Sequence, residues 1–226
     1  MHRIVTILIS FLTLLGLLPG GGEARAVTVT AHSGAMLTIA DTLWSVKAAL
    51  SCGAEIIEVD VRFLPDGTPA LGHDEVGPNS VPLEAVFREM QAYPAMGINL
   101  DMKQKQKAQV ERVAALVTQY GLEGRAFMTS VMPWDVAALR DCGLPYYVNS
   151  TDVQAALELG ALGINIHYED CTGALVQSAH ELGLLVSVWT VDRPSAMRDM
   201  LRMGVDNITT NMPILLQLII QYDNRR

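Results

Sequence analysis

Between Glu58 and Asp74 the chain reads Glu-Val-Asp-Val-Arg-Phe-Leu-Pro-Asp-Gly-Thr-Pro-Ala-Leu-Gly-His-Asp, and its acids and histidine have the spacing of a cation site. Glu58 and Asp60 stand two apart in a run that is otherwise apolar, Ile56 to Val61. Side chains alternate along a strand, so both carboxylates share one face. The flanking Ile56, Ile57, Val59 and Val61 are those of a strand buried on both sides. Two adjacent buried acids repel unless a cation lies between them, and a divalent metal supplies one. Asp66-Gly67 is a strong signal for a two-residue hairpin turn. That turn pairs Pro65 with Thr68 and brings His73 opposite Asp60, with Cβ atoms about 5 Å apart.

Asn99-Leu100-Asp101-Met102-Lys103 repeats the pattern, with Asp101 and Lys103 on one side. Three carboxylates without a cysteine or histidine cluster suit a hard, oxygen-seeking ion, Mg²⁺ or Ca²⁺. With Lys103, the metal would neutralise charge developing on phosphoryl oxygens. His32 and His73 would exchange protons with the nucleophile and the leaving oxygen. The chemistry expected is hydrolysis of a phosphate ester.

These residues need a scaffold that gathers distant segments. A helical stretch, a glycine and an apolar run recur at Gly53, Gly121, Gly143, Gly160, Gly183 and Gly204. Glycine just past a helix end caps it in the left-handed conformation, so each marks a helix-to-strand junction. Parallel strands are expected near 27–31, 56–61, 97–101, 126–129, 146–149, 163–167, 185–190 and 206–210, with helices between them. Eight such units read as one (β/α)8 TIM barrel over residues 27–226, with a β-hairpin excursion after strand two. An open doubly wound sheet is the rival, but no glycine-rich phosphate loop follows the first strand.

A formal net charge of -8 argues against nucleic acid as a partner. Arg3, the apolar run Ile4 to Leu18 and Ala24-Arg25-Ala26 read as a secretory signal covering residues 1–26. That implies a secreted or periplasmic protein with no stable membrane association after cleavage; an uncleaved tether is the alternative. Cys52, Cys142 and Cys171 form no metal-ligand spacing and are expected to pack as small apolar residues.

Ala31-His32-Ser33-Gly34, Gly53 to Val61, Asp66-Gly67 with His73-Asp74, Asn99 to Lys103, Val188-Trp189-Thr190-Val191 and Gly204 to Thr209 together resemble the glycerophosphodiester phosphodiesterase family. The resemblance runs from Val27 to Pro213, in the family's order. It implies a metal-dependent TIM barrel that hydrolyses glycerophosphodiesters to glycerol 3-phosphate and an alcohol. His32 and His73 match the family's acid and base, and Glu58, Asp60 and Asp101 its metal-binding carboxylates. Lys103 and Trp189 match substrate-contacting positions, as does Ser33, where the family usually has Arg. Ala40 stands where the family has Glu, so a charge pair is missing as a unit. Only Glu75 to Val81 spans a segment that is longer in many relatives, so an open pocket with weak selectivity for the alcohol is expected.

Two other readings fit the same residues. Ser33 and Ala40 favour a degenerate barrel that binds phosphodiesters without cleaving them. A related phospholipase acting on lysophospholipids would need an apolar rim for acyl chains, which the sequence does not place. Among weaker candidates, alternation sends Asn165 and His167 to one side of strand six. Ser130 ends strand four in a turn, and His180 is expected to face a helix dipole.

Overall fold

A computed structural model describes residues 26–33, 35–139 and 141–223; the expected signal segment lies outside them apart from Ala26. Nine strands occur among these residues: β1 (Thr28–Ala31), β2 (Ile56–Phe63), β3 (Pro69–Leu71), β4 (Gly97–Met102), β5 (Ala126–Val131), β6 (Tyr146–Val148), β7 (Gly163–His167), β8 (Leu185–Trp189) and β9 (Asn207–Thr210). Between them run α1 (Leu43–Ser51), α2 (Leu83–Met90), α3 (Lys107–Gln119), α4 (Val136–Leu139), α5 (Val153–Glu158), α6 (Gly173–Glu181), α7 (Pro194–Met203) and α8 (Pro213–Asp223).

All strands but β3 pair in parallel, in the order β1-β9-β8-β7-β6-β5-β4-β2, and β1 pairs with β2 to close the ring. This is a (β/α)8 TIM barrel. The six junction glycines all take positive φ, which ends each helix and turns the chain into the next strand.

The strands divide their residues between two environments. Outward-facing Ile57, Val59 and Val61 belong to the core between sheet and helices. Inward, Ile56, Phe127, Tyr147, Leu162 and Leu185 form a separate apolar plug. Further along the same strands the inward positions turn polar and stay buried: Glu58, Asp60, Asn99, Thr129, Asn165, Ser187 and Thr209. The plug closes one end of the barrel, so this polar layer meets water only at the C-terminal mouth.

Close strand approach depends on Gly163. A Cβ built there would lie 2.0 Å from the Leu185 carbonyl oxygen, which is backbone and cannot swing aside. Gly163→Ala is expected to cost about 3 kcal/mol, read as a lower urea midpoint at unchanged slope.

The hairpin departs from expectation by one residue. The β2–β3 pairs are Val61 with Leu71, Arg62 with Ala70 and Phe63 with Pro69, and Leu64 donates to the Thr68 carbonyl at 2.9 Å. The loop therefore has three residues, Pro65-Asp66-Gly67, with Gly67 at φ 83 and its N–H on the Leu64 carbonyl. A two-residue turn would need an N–H from Pro65 to close it, and proline has none. Leu64 has one, and Pro65 then takes the turn position its fixed φ favours. In consequence Gly72, not His73, lies against Asp60, its N–H on the Asp60 carbonyl at 3.1 Å.

Candidate active site

Parallel register builds the acid cluster. Asp60 on β2 pairs with Asp101 on β4, and Glu58 pairs with Asn99 one layer below. Paired residues of parallel strands point the same way, so the carboxylates from positions 60 and 101 converge inside the barrel. Glu58, Asp60 and Asp101 each offer an oxygen within 4.8 Å of the others.

Glu58 and Asp60 are almost wholly buried, at 4% and 2% exposure. Burial pushes the Glu58 carboxyl well above its ordinary range, and the charges of Asp60 and Asp101 push it further. Lys103 bridges the other two acids, with Nζ at 2.8 Å from Asp60 and 2.9 Å from Asp101. Burial works against its charge, but Asp101 and Asp60 outweigh it and hold the ammonium above its usual range.

The Asp101 Oδ1 atom is buried and has no hydrogen-bond partner. An orphaned carboxylate oxygen beside two further acids, with one lysine to balance them, is a donor set for a hard divalent cation. The residues fit such an ion.

His32 follows β1. Its Nδ1 lies 2.9 Å from the Asn211 side-chain oxygen, and its Nε2 lies 3.9 Å from Glu58. Asn211 is held in turn by Asp192: the amide NH₂ donates to one carboxylate oxygen and the backbone N–H to the other, both at 2.8 Å. That orientation leaves only the amide oxygen for His32, so Nδ1 donates to it and Nε2 is the ring nitrogen on the Glu58 side. His73 is exposed, with Nδ1 at 2.8 Å from Asp74. Its backbone N–H donates to Asp41 at 3.1 Å, which fixes the segment the hairpin does not reach by register. Asp41 sits at φ 60, and burial, then Asp60, raises its pKa.

His32, Glu58, Asp60, His73, Asp101, Lys103 and Trp189 all line one cavity of about 340 Å³. Ser33 is not among the lining residues. It is buried, its N–H donating to Glu58 at 2.8 Å and its hydroxyl to Asp60 at 3.2 Å. Where substrate contact was expected, Ser33 instead donates to two acids of the cluster.

Trp189 is 37% exposed and meets the His167 ring edge-on at 5.5 Å. Asn165 and Ser130 also line the cavity, and His167 does not. His180 is paired with Asp206 at 2.8 Å; a carboxylate at that distance is a stronger partner than the helix dipole first assigned to it. Asn211, Asp192 and Asp41 were not singled out from sequence, because hydrogen bonds across 179 and 32 positions leave no local pattern.

Residues 186–214 match the family described as Glycerophosphoryl diester phosphodiesterase family. A glycerophosphodiester phosphodiesterase of Caldanaerobacter subterraneus subsp. tengcongensis is 23% identical over 235 residues, covering 82% of this chain and 94% of that one. Among solved structures, a glycerophosphodiester phosphodiesterase from Parabacteroides distasonis superposes with TM-score 0.76 at 21% identity, covering 90% of this chain and all of that one. An Oleispira antarctica phosphodiesterase, solved with the product sn-glycerol-3-phosphate, gives 0.72 at 18% identity, covering 86% and 96% of the two chains. The family match and these named relatives agree.

Proposed function

We propose, from its similarity to glycerophosphodiester phosphodiesterases, that this chain hydrolyses glycerophosphodiesters to glycerol 3-phosphate and an alcohol with a divalent metal, Mg²⁺ or Ca²⁺. The observation that carries the reading is the meeting of three carboxylates, two imidazoles and an ammonium in one cavity at the barrel mouth. Glu58, Asp60 and Asp101 would hold the metal. When bound, it supplies a Lewis acid that offsets charge on the phosphoryl oxygens.

The protein's own groups divide the remaining work. His32, with Nε2 on the Glu58 side, takes a proton from the attacking water as the new P–O bond forms. His73, at the exposed edge, gives a proton to the alcohol oxygen as its bond to phosphorus breaks, and the alcohol leaves towards solvent. Two Lys103 donors are taken by Asp60 and Asp101, and the third is left for a phosphoryl oxygen.

A metal titration with glycerophosphocholine tests the reading, with product followed by ³¹P NMR. Metal-dependent release of glycerol 3-phosphate is expected. Saturable binding without release at saturating Ca²⁺ or Mg²⁺ would replace it with the non-catalytic binder.

Asp192 has a testable part as a positioning residue. Asp192→Ala frees the Asn211 amide to rotate and is expected to lower kcat about tenfold with little change in KM. In ¹⁵N NMR the His32 ring should change from a single Nδ1–H tautomer to a mixture. A loss of stability alone would leave the tautomer unchanged.

A further inference from the structure

His73 stands outside every strand and helix, yet it lines the cavity. Its side chain is 62% exposed, and its Nδ1 partner, Asp74, is the next residue and 91% exposed. That pair orients the ring within its own loop and ties the loop to nothing else. The loop itself is tight: a Cβ built at Gly72 would lie 2.3 Å from the Glu75 carbonyl oxygen. What fixes it over the cavity is the main chain of His73.

Both polar groups of that main chain are taken by charged side chains from two different parts of the barrel. The His73 N–H donates to Asp41 Oδ2 at 3.1 Å, from the β1–α1 connection. The His73 carbonyl accepts from Arg62 Nε at 2.8 Å, from β2. Hydrogen bonds to ionised groups are about twice as strong as neutral ones. With both ends held, the His73 backbone cannot turn without breaking one of them, so its Cα–Cβ direction is set.

Asp41 holds its place at a cost. It sits at φ 60, a conformation that non-glycine residues seldom adopt, and its Oδ1 atom is buried with no hydrogen-bond partner. Such outliers persist where the surrounding structure uses them, and the oxygen beside the orphaned one holds the His73 N–H.

We infer that Asp41 and Arg62 are positioning residues that clamp the His73 main chain and thereby aim its ring at the leaving oxygen. This rests on the phosphodiesterase reading and deepens it. The clamp serves departure of the alcohol and not attack by water, so its loss should be felt according to what leaves.

The test uses Asp41→Gly, which suits φ 60 and removes the acceptor, and Asp41→Asn, which tolerates that φ and keeps an oxygen for the N–H. Arg62→Met keeps an apolar stem and removes the donor. Asp41→Gly and Arg62→Met are each expected to lower kcat on glycerophosphocholine about ten- to hundredfold with little change in KM. On a 4-nitrophenyl phosphodiester, whose leaving group needs no proton, the loss should be under about threefold. Asp41→Asn should recover most of the glycerophosphocholine rate. In ¹⁵N relaxation the His73 amide should lose order in the first two variants and keep it in Asp41→Asn.

Equal losses on the two substrates, or no loss on either, would make the clamp a purely structural tie and overturn the inference with the phosphodiesterase reading intact. A His73 amide as ordered in Asp41→Gly and Arg62→Met as in the parent would overturn it whatever the rates. A parent that cleaves neither substrate would overturn the phosphodiesterase reading and the leaving-group role with it, while a loosened His73 amide in the variants would still uphold the clamp.

Discussion

Glu58→Gln is expected to remove metal-dependent turnover, by about 10³-fold or more, while raising the melting temperature of the chelated protein. The two effects have opposite signs because one carboxylate serves two purposes. With a metal its charge would be a ligand; without one it is a buried acid close to Asp60 and Asp101. A glutamine of nearly the same volume keeps an oxygen for the Ser33 N–H and carries no charge.

The pH dependence follows from the direction of the shift. Burial, then the two aspartates, raises the folded pKa of Glu58 above its ordinary value of 4.5. Between those two values the folded state holds the proton more tightly than the unfolded chain. Stability is therefore lost as pH rises from about 4.5 through the raised folded pKa. Glu58→Gln lacks this decline, so its advantage should widen across that window and then level off. At this chain length each kcal/mol moves the midpoint by about 2–4 °C. Calorimetry in EDTA from pH 4 to 8, with Ca²⁺ and Mg²⁺ titrations at neutral pH, reads both effects. A variant less stable than the parent throughout would mean that the Glu58 charge is already compensated without metal.

The second large effect separates the two histidines. His73→Ala is expected to lower kcat on glycerophosphocholine by about 10²–10⁴-fold, because choline's alkoxide is a poor leaving group and needs a proton. On a 4-nitrophenyl phosphodiester, whose leaving group is stable as an anion, the same variant should lose far less. His32→Ala should lose about as much on both substrates, since removing a proton from water does not depend on what leaves. Steady-state rates of both variants on both substrates make the comparison. If His32→Ala were the variant rescued by nitrophenol, the roles would be exchanged.

The hairpin shows where local reading succeeds and where it stops. Asp66-Gly67 marks a turn in any context, and a turn is there. Its length was settled by Pro65, whose missing N–H moves the closing pair back to Leu64 and slips the register by one. Because strand side chains alternate, that slip removes His73 from its place opposite Asp60. His73 reaches the same cavity by another route, along a segment held by Asp41 from the β1–α1 connection. Exposure has the same character: Leu37, Trp44 and Trp134 each look like core residues in the sequence, yet all three are exposed.

The sequence by itself determined the eight repeating units, their closure into one barrel, and the pairing of Glu58 with Asp60 and of Asp101 with Lys103. Glycine caps, strand alternation and apolar runs act over a few residues, so they can be read along the chain. Only the tertiary structure decided that Lys103 bridges Asp60 and Asp101, that Ser33 donates to Glu58 and Asp60, and that Asp192 holds His32 through Asn211. These depend on how β1, β2, β4 and β9 register across the ring. Register and rotamer are fixed by the packing of the whole barrel, and no window of sequence contains that.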